Sequence, residues 1–148
     1  MKRIGKIVSM SLMVLLLTAT TAAAAGKPDA KNTKTEGFNW NPVMNAIIQV
    51  ESEGNARAVS GNSVGAMQIT PILVKECNNI LESKKSKKRY SMADRYSVEK
   101  SKEMFLLIQS VYNPKNNVEK AIRSWNGGPN YTVKSTNRYY SKVMKQMK

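Results

Sequence analysis

The chain has 148 residues, 24 Lys and Arg against 10 Asp and Glu for a formal net charge of +14, one cysteine and no histidine. That length suits one domain with one modest core. The missing histidine excludes histidine triads, histidine–zinc sites and histidine general bases, and the lone Cys77 excludes an internal disulfide.

The N-terminus begins with Lys2, Arg3 and Lys6, continues through an apolar run from Ile7 to Leu17, and ends in small residues up to Ala25. This pattern predicts a secretory signal peptide over 1–25. Its apolar part is shorter than the roughly 20 residues of a bilayer span. The rest is expected to be exported to the periplasm or cell envelope, with no transmembrane segment after signal removal. Residues 26–39 are polar and without periodicity, which predicts a disordered leader. The folded domain is expected over 40–148. It keeps a strong positive excess, so an anionic partner is expected. Export points to envelope polymers and anionic lipid surfaces and away from nucleic acid.

Helical signals then dominate. Asn41-Pro42 predicts an N-cap and a first-turn proline, and Val43, Ala46, Ile47 and Val50 form an apolar stripe that Gly54 can end. Asn55 to Val64 has loop composition. Thr70-Pro71 caps a second helix with Leu73, Cys77, Ile80 and Leu81 on one face. Glu82 to Ser91 is a basic loop. Ser97 caps a third helix whose apolar side is Val98, Met104, Phe105, Ile108, Val111 and Tyr112. Asn117 opens a fourth, with Val118, Ala121, Ile122 and Trp125. After a turn at Asn126–Pro129, a last helix starts near Thr136 and buries Tyr140, Val143, Met144 and Met147. No strand pattern of any length is visible. The class is mainly α: about five helices with short connections.

Glu51 is the residue that raises a chemical question. It lies four positions after Ile47, at the rim of the buried stripe and near a helix C-terminus. Partial desolvation and the negative end of the helix dipole both disfavour its charged form. Such an acid can stay protonated near neutral pH and give a proton to a leaving oxygen. Glycosidic bonds need that help. A glutamate at a helix end is more commonly a solvated surface group, so position alone does not decide.

Three motifs in order do more. Glu51-Ser52 with Asn55, Ala58, Ser60, Gly65-Ala66-Met67-Gln68-Ile69 and Pro71 resembles the signature of the soluble lytic transglycosylases, a lysozyme-like family. "AIRSWNGGP", Ala121 to Pro129, is similar to its second motif, and "TNRYYSKV", Thr136 to Val143, to its third. The resemblance implies a lysozyme-like domain acting on the glycan strands of peptidoglycan without a cofactor or metal. It implies cleavage of the β-1,4 bond between N-acetylmuramic acid and N-acetylglucosamine with closure of a 1,6-anhydro ring, Glu51 serving as the single acid and base. Ser60, Gly65, Gln68, Trp125, Asn126 and Tyr139 would line the substrate cleft. A monomer is expected, with a secretion or conjugation apparatus as the partner that small family members suggest.

Individual residues carry their own readings. Gly65 would let backbone approach a sugar. Gln68 offers a donor and an acceptor, Met67 reads as core, and Ser52 as a prop for the helix end or the loop. Trp125 stands where the family has tyrosine; an indole stacks and donates but accepts nothing. The Ser60–Gly65 loop is compact, and Ser135 and Tyr140 also depart from the family pattern. Glu53 points away from Glu51, whereas Glu76, Asp94 and Glu119 leave a second carboxylate open. Three rivals stand beside this reading: a hydrolytic muramidase, a non-catalytic wall-binding module and, weakest, an exported nucleic-acid binder.

Overall fold

A computed structural model describes residues 37–148; the signal peptide expected over 1–25 and the leader up to residue 36 lie outside them. Among the described residues five α-helices follow one another: α1 (Asn41–Ser52), α2 (Pro71–Ser83), α3 (Val98–Tyr112), α4 (Val118–Gly127) and α5 (Val133–Gln146). A small antiparallel hairpin, β1 (Val59–Ser60) and β2 (Ser63–Val64), separates α1 from α2, and a 3-10 turn at Met92–Tyr96 precedes α3. The mainly α class read from periodicity is the observed one.

Side-chain caps explain most helix starts. Thr70, Ser97 and Asn117 each accept the backbone N–H three residues ahead, at 3.2, 3.2 and 2.8 Å. Two boundaries differ from expectation. α1 already includes Asn41, because the Asn39 side chain accepts the Asn41 N–H at 3.1 Å and the cap position falls on Trp40. α5 starts at Val133, ahead of Thr136, because Thr132 and Ser135 exchange hydrogen bonds in a capping box. Thr136 is buried one turn in. At the end of α1 the left-handed residue is Glu53 (φ 53°), and Gly54 (φ 86°) follows it.

The core is contributed by every helix. Ile47 and Val43 of α1 meet Val74 and Cys77 of α2, Met104 and Phe105 of α3, Ala121 and Ile122 of α4 and Val143 of α5, together with Met67 and Ile69 from the chain leaving the hairpin. Phe105 is at the centre, its ring 5.6 Å from Trp40 and 5.2 Å from Trp125. A buried side chain of this size contributes about 1.5–3 kcal/mol through removal from water. α3 corrects part of the apolar side read from its sequence. Val98, Val111 and Tyr112 are exposed, and the polar Ser101 and Gln109 are buried beside Met104 and Phe105. Val98 and the Val111–Tyr112 pair lie at the two ends of the helix; the buried contacts concentrate at its middle.

The expected basic loop is shorter than composition suggests, because α2 continues to Ser83. Its far end is anchored. Tyr90 is buried, and Asn78 both donates to its carbonyl and accepts its N–H at 2.8 Å.

The Asn55–Val64 stretch, read as loop, holds the two-residue strands in the register Val59↔Val64 and Ser60↔Ser63. Gly65 leaves the hairpin with φ 79°, and a Cβ there would lie 1.9 Å from the Arg95 carbonyl oxygen. The close approach that this glycine permits is therefore to protein backbone. Gly65→Ala should combine a left-handed penalty with a backbone clash and destabilise the domain by about 2–4 kcal/mol, measured by urea denaturation.

Candidate active site

Glu51 occupies the last turn of α1, half-buried, where the chain is about to leave the helix through Glu53. Across from it stands α5. The Tyr139 hydroxyl donates to Glu51 Oε1 at 2.7 Å, and among the described residues Glu51 has no other side-chain partner. Burial pushes the Glu51 carboxyl above the usual carboxylate range, and the Tyr139 hydrogen bond opposes that shift without cancelling it. Tyr139 is itself pushed far up, first by its burial and then by the neighbouring carboxylate, so its hydroxyl stays a donor at any working pH. One oxygen of the acid is thus occupied, and the other has no hydrogen-bond partner among the described residues.

The chain after α1 is held in place by bonds to backbone carbonyls. Ser52 Oγ donates to Ala66 O at 2.8 Å and to Ile48 O at 3.3 Å, so it holds both the loop and the helix end. Trp125 Nε1 donates to Met67 O at 3.2 Å, tying α4 to the same loop. Gln68, at φ 52°, donates its amide to Gly65 O at 2.9 Å. Arg95 donates to Asn62 O at 3.1 Å and Ile69 O at 3.4 Å, while its own carbonyl accepts Ser101 Oγ at 3.2 Å.

Of the residues singled out from sequence, Glu51 and Tyr139 are brought into direct contact. Trp125, Gly65 and Gln68 meet around the loop that follows the hairpin. The indole N–H, the one donor that Trp125 offers, is already used on Met67. Ser60 on β1 and Asn126 near the end of α4 are exposed and make no hydrogen bond to Glu51 or Tyr139. Met67 is fully buried, as its apolar setting suggests.

Sequence reasoning missed two arginines. Arg95 belongs to the 3-10 turn, for which no periodic signal exists. Arg123 is buried on α4, bonded to Glu119 at 2.7 Å, to Thr136 Oγ1 at 3.1 Å and to Val133 O at 3.2 Å, with its guanidinium 4.2 Å from the centre of the Tyr140 ring. Only the i, i+4 spacing of Glu119 and Arg123 hints at it in the sequence.

Four of the other carboxylates have partners elsewhere, and Glu53, Glu82 and Glu99 are exposed. Glu76 accepts the Tyr112 hydroxyl, Asp94 caps Ser91, Glu103 pairs with Lys88 and Lys100, and Glu119 pairs with Arg123. Among the described residues no cluster of acidic, cysteine or histidine side chains has the arrangement of a metal site. Two shallow surface depressions, of about 480 and 450 Å³, lie by Pro42, Gln49 and Met147 and by Ile72, Lys75 and Met92; neither contains Glu51.

Glu51 is thus a half-buried acid with one tyrosine partner, on a helix whose following loop carries the Gly65–Gln68 sequence. The family model described as the transglycosylase SLT domain matches residues 29–148. The chain belongs to that family. Its members are lytic transglycosylases, lyases that act on peptidoglycan. No curated protein and no solved structure matches the chain. Among the described residues of this transglycosylase no helix is long and apolar enough to cross a membrane.

The raised Glu51 carboxyl has a consequence for stability. Its folded-state pKa lies above its unfolded value, so the native state binds the extra proton over the interval between them, and stability falls as pH rises through it. Below the ordinary carboxylate range the group is neutral in both states and costs nothing. Glu51→Gln should therefore raise the melting temperature of the transglycosylase near pH 7. The gain should vanish at about pH 3, as scanning calorimetry at the two pH values would show.

Proposed function

We propose that this transglycosylase cleaves the β-1,4 bond between N-acetylmuramic acid and N-acetylglucosamine with Glu51 as its single acid and base, leaving a 1,6-anhydro ring on the muramic sugar. The observation that carries the reading is the half-buried Glu51, with Oε1 held by Tyr139 and Oε2 unpartnered among the described residues. The neutral acid protonates the glycosidic oxygen as the bond from that oxygen to the anomeric carbon breaks. The resulting carboxylate takes the proton from the C6 hydroxyl of the same muramic residue, whose oxygen bonds to the anomeric carbon. The proton returns to Glu51, and no water is consumed.

Chemistry of this kind needs no second carboxylate, because the nucleophile is part of the substrate and its effective concentration is high. The engagement of Glu76, Asp94, Glu103 and Glu119 elsewhere supports the single-acid reading. Tyr139 orients the acid and, by donating to it, stabilises the carboxylate formed midway. Ser60, Asn126 and the free oxygen of the Gln68 amide are the proposed polar contacts to sugar. Trp125 contributes the face of its ring, its N–H being committed to Met67. Gly65 seats the loop against Arg95. Signal-directed export to the periplasm or envelope, action as a monomer and a place beside a secretion or conjugation apparatus belong to the same proposal.

Two variants test it. Glu51→Gln should lower release of fragments from purified sacculi by about 10³-fold or more while the fold persists, and mass spectra of wild-type products should show anhydro ends. Full turnover in that variant would overturn the acid's role, and free reducing ends would favour hydrolysis. Tyr139→Phe removes the bond that holds the Glu51 pKa down, so the alkaline limb of the pH–rate profile should move to higher pH. Turnover should fall about tenfold at neutral pH.

A further inference from the structure

α5 differs from the other four helices in its charge. α1 to α4 each contain at least one carboxylate, whereas α5 contains Lys134, Arg138, Lys142 and Lys145 and no acid. The 4, 4 and 3 spacings place these cations in one row on the side opposite the buried Thr136 and Val143. All four are exposed, and among the described residues no carboxylate lies within ion-pair distance of any of them. The row is about 16 Å long at 1.5 Å per residue.

This arrangement runs against the helix's own preferences. Lys134 sits in the first turn, at the positive end of the helix dipole, and the pairs 134/138 and 138/142 set like charges at i, i+4. A solvated face chosen for helix stability would carry acids early and interleave the signs. The row also passes near the candidate site, for its third member, Lys142, follows Tyr139 by three positions and so neighbours it on the helix surface. The exposed residues among the cations are Ser135, Asn137 and Ser141, all small and polar, and the one large apolar side chain exposed on α5 is Val133 at its first position. A helix that enters a lipid surface needs apolar side chains flanking its cations, and a single-strand nucleic-acid track needs aromatic ones. The face offers no exposed aromatic, and the single valine at the helix start is no apolar flank for a row of four cations.

We propose that the outer face of α5 binds the carboxylates of the peptides that substitute the glycan, so that the substrate class is peptide-bearing strands and not bare glycan. The proposal rests on the transglycosylase reading of the Glu51 site and adds a recognition surface to it. A polymer laid past Glu51 carries its anionic substituents along the row, where several weak, solvent-screened attractions act together.

The test compares peptide-bearing glycan strands with the same strands stripped of peptide by an amidase. Wild type at low salt should show a KM about tenfold lower on the peptide-bearing strands. Replacing Lys134, Arg138, Lys142 and Lys145 together by Gln should bring the ratio of the two KM values to about 1, as should 1 M salt on wild type, where the Debye length is about 3 Å. Replacing the three lysines by Arg should keep the wild-type ratio, which separates charge from packing. An unchanged ratio in the Gln variant, or a wild-type ratio of 1, would overturn the proposal. So would an unchanged ratio alongside lost binding to anionic vesicles or duplex DNA. Pelleting of Glu51→Gln with sacculi before and after amidase treatment reads the same preference without turnover, so it stands or falls independently of the chemistry assigned to Glu51.

Discussion

The hydrogen bond from Tyr139 to Glu51 is the contact on which the candidate site depends. It joins the last turn of α1 to the middle of α5, and it brings a carboxyl group partly out of water while giving it one well-defined donor. Burial, which raises the pKa, is the larger influence on its proton affinity, and the phenol, which lowers it, the opposing one. The proposed cycle, in which Glu51 first releases a proton and then recovers one, needs such a balance.

Holding the pair in register is the task of the α4–α5 packing. Arg123 reaches from α4 into the base of α5, donating to Thr136 and the Val133 carbonyl and lying against the Tyr140 ring, with Glu119 satisfying its charge. A buried guanidinium is stable only when its donors are met, so this cluster tolerates few alternative helix positions. Tyr139 is the neighbour of Tyr140 and one turn from Thr136, and its position follows from that constraint. On the other side, the aromatic series Trp40, Phe105 and Trp125 fills the space between α1, α3 and α4.

The chain between the hairpin and α2 shows how motif residues divide their duties. Gly65 accommodates the Arg95 carbonyl, Ser52 and Trp125 bind the carbonyls of Ala66 and Met67, and Gln68 turns its amide back on Gly65. Their hydrogen-bonding capacity goes largely to fixing one loop beside the acid. A tyrosine at position 125 would place its hydroxyl differently; the indole N–H reaches the Met67 carbonyl from within the core edge, which gives this departure from the family pattern a structural role.

Much of the fold was legible because it is written in local interactions. Thr70, Ser97 and Asn117 announce helix starts through bonds spanning three residues, and the apolar spacing of Ile47, Cys77, Phe105, Ile122 and Val143 marks the buried faces. The absence of histidine removed histidine chemistry, and the order of the motifs was enough to name the family. Other features lay beyond such reading: the exposure of Val98 and Tyr112, the burial of Arg123, and the seat that Gly65 makes for Arg95. Tyr139 is 88 positions from Glu51, and nothing in either segment specifies that the two side chains meet. That meeting depends on how five helices share one core, a property of the assembled packing, and the proton affinity of Glu51 follows from it.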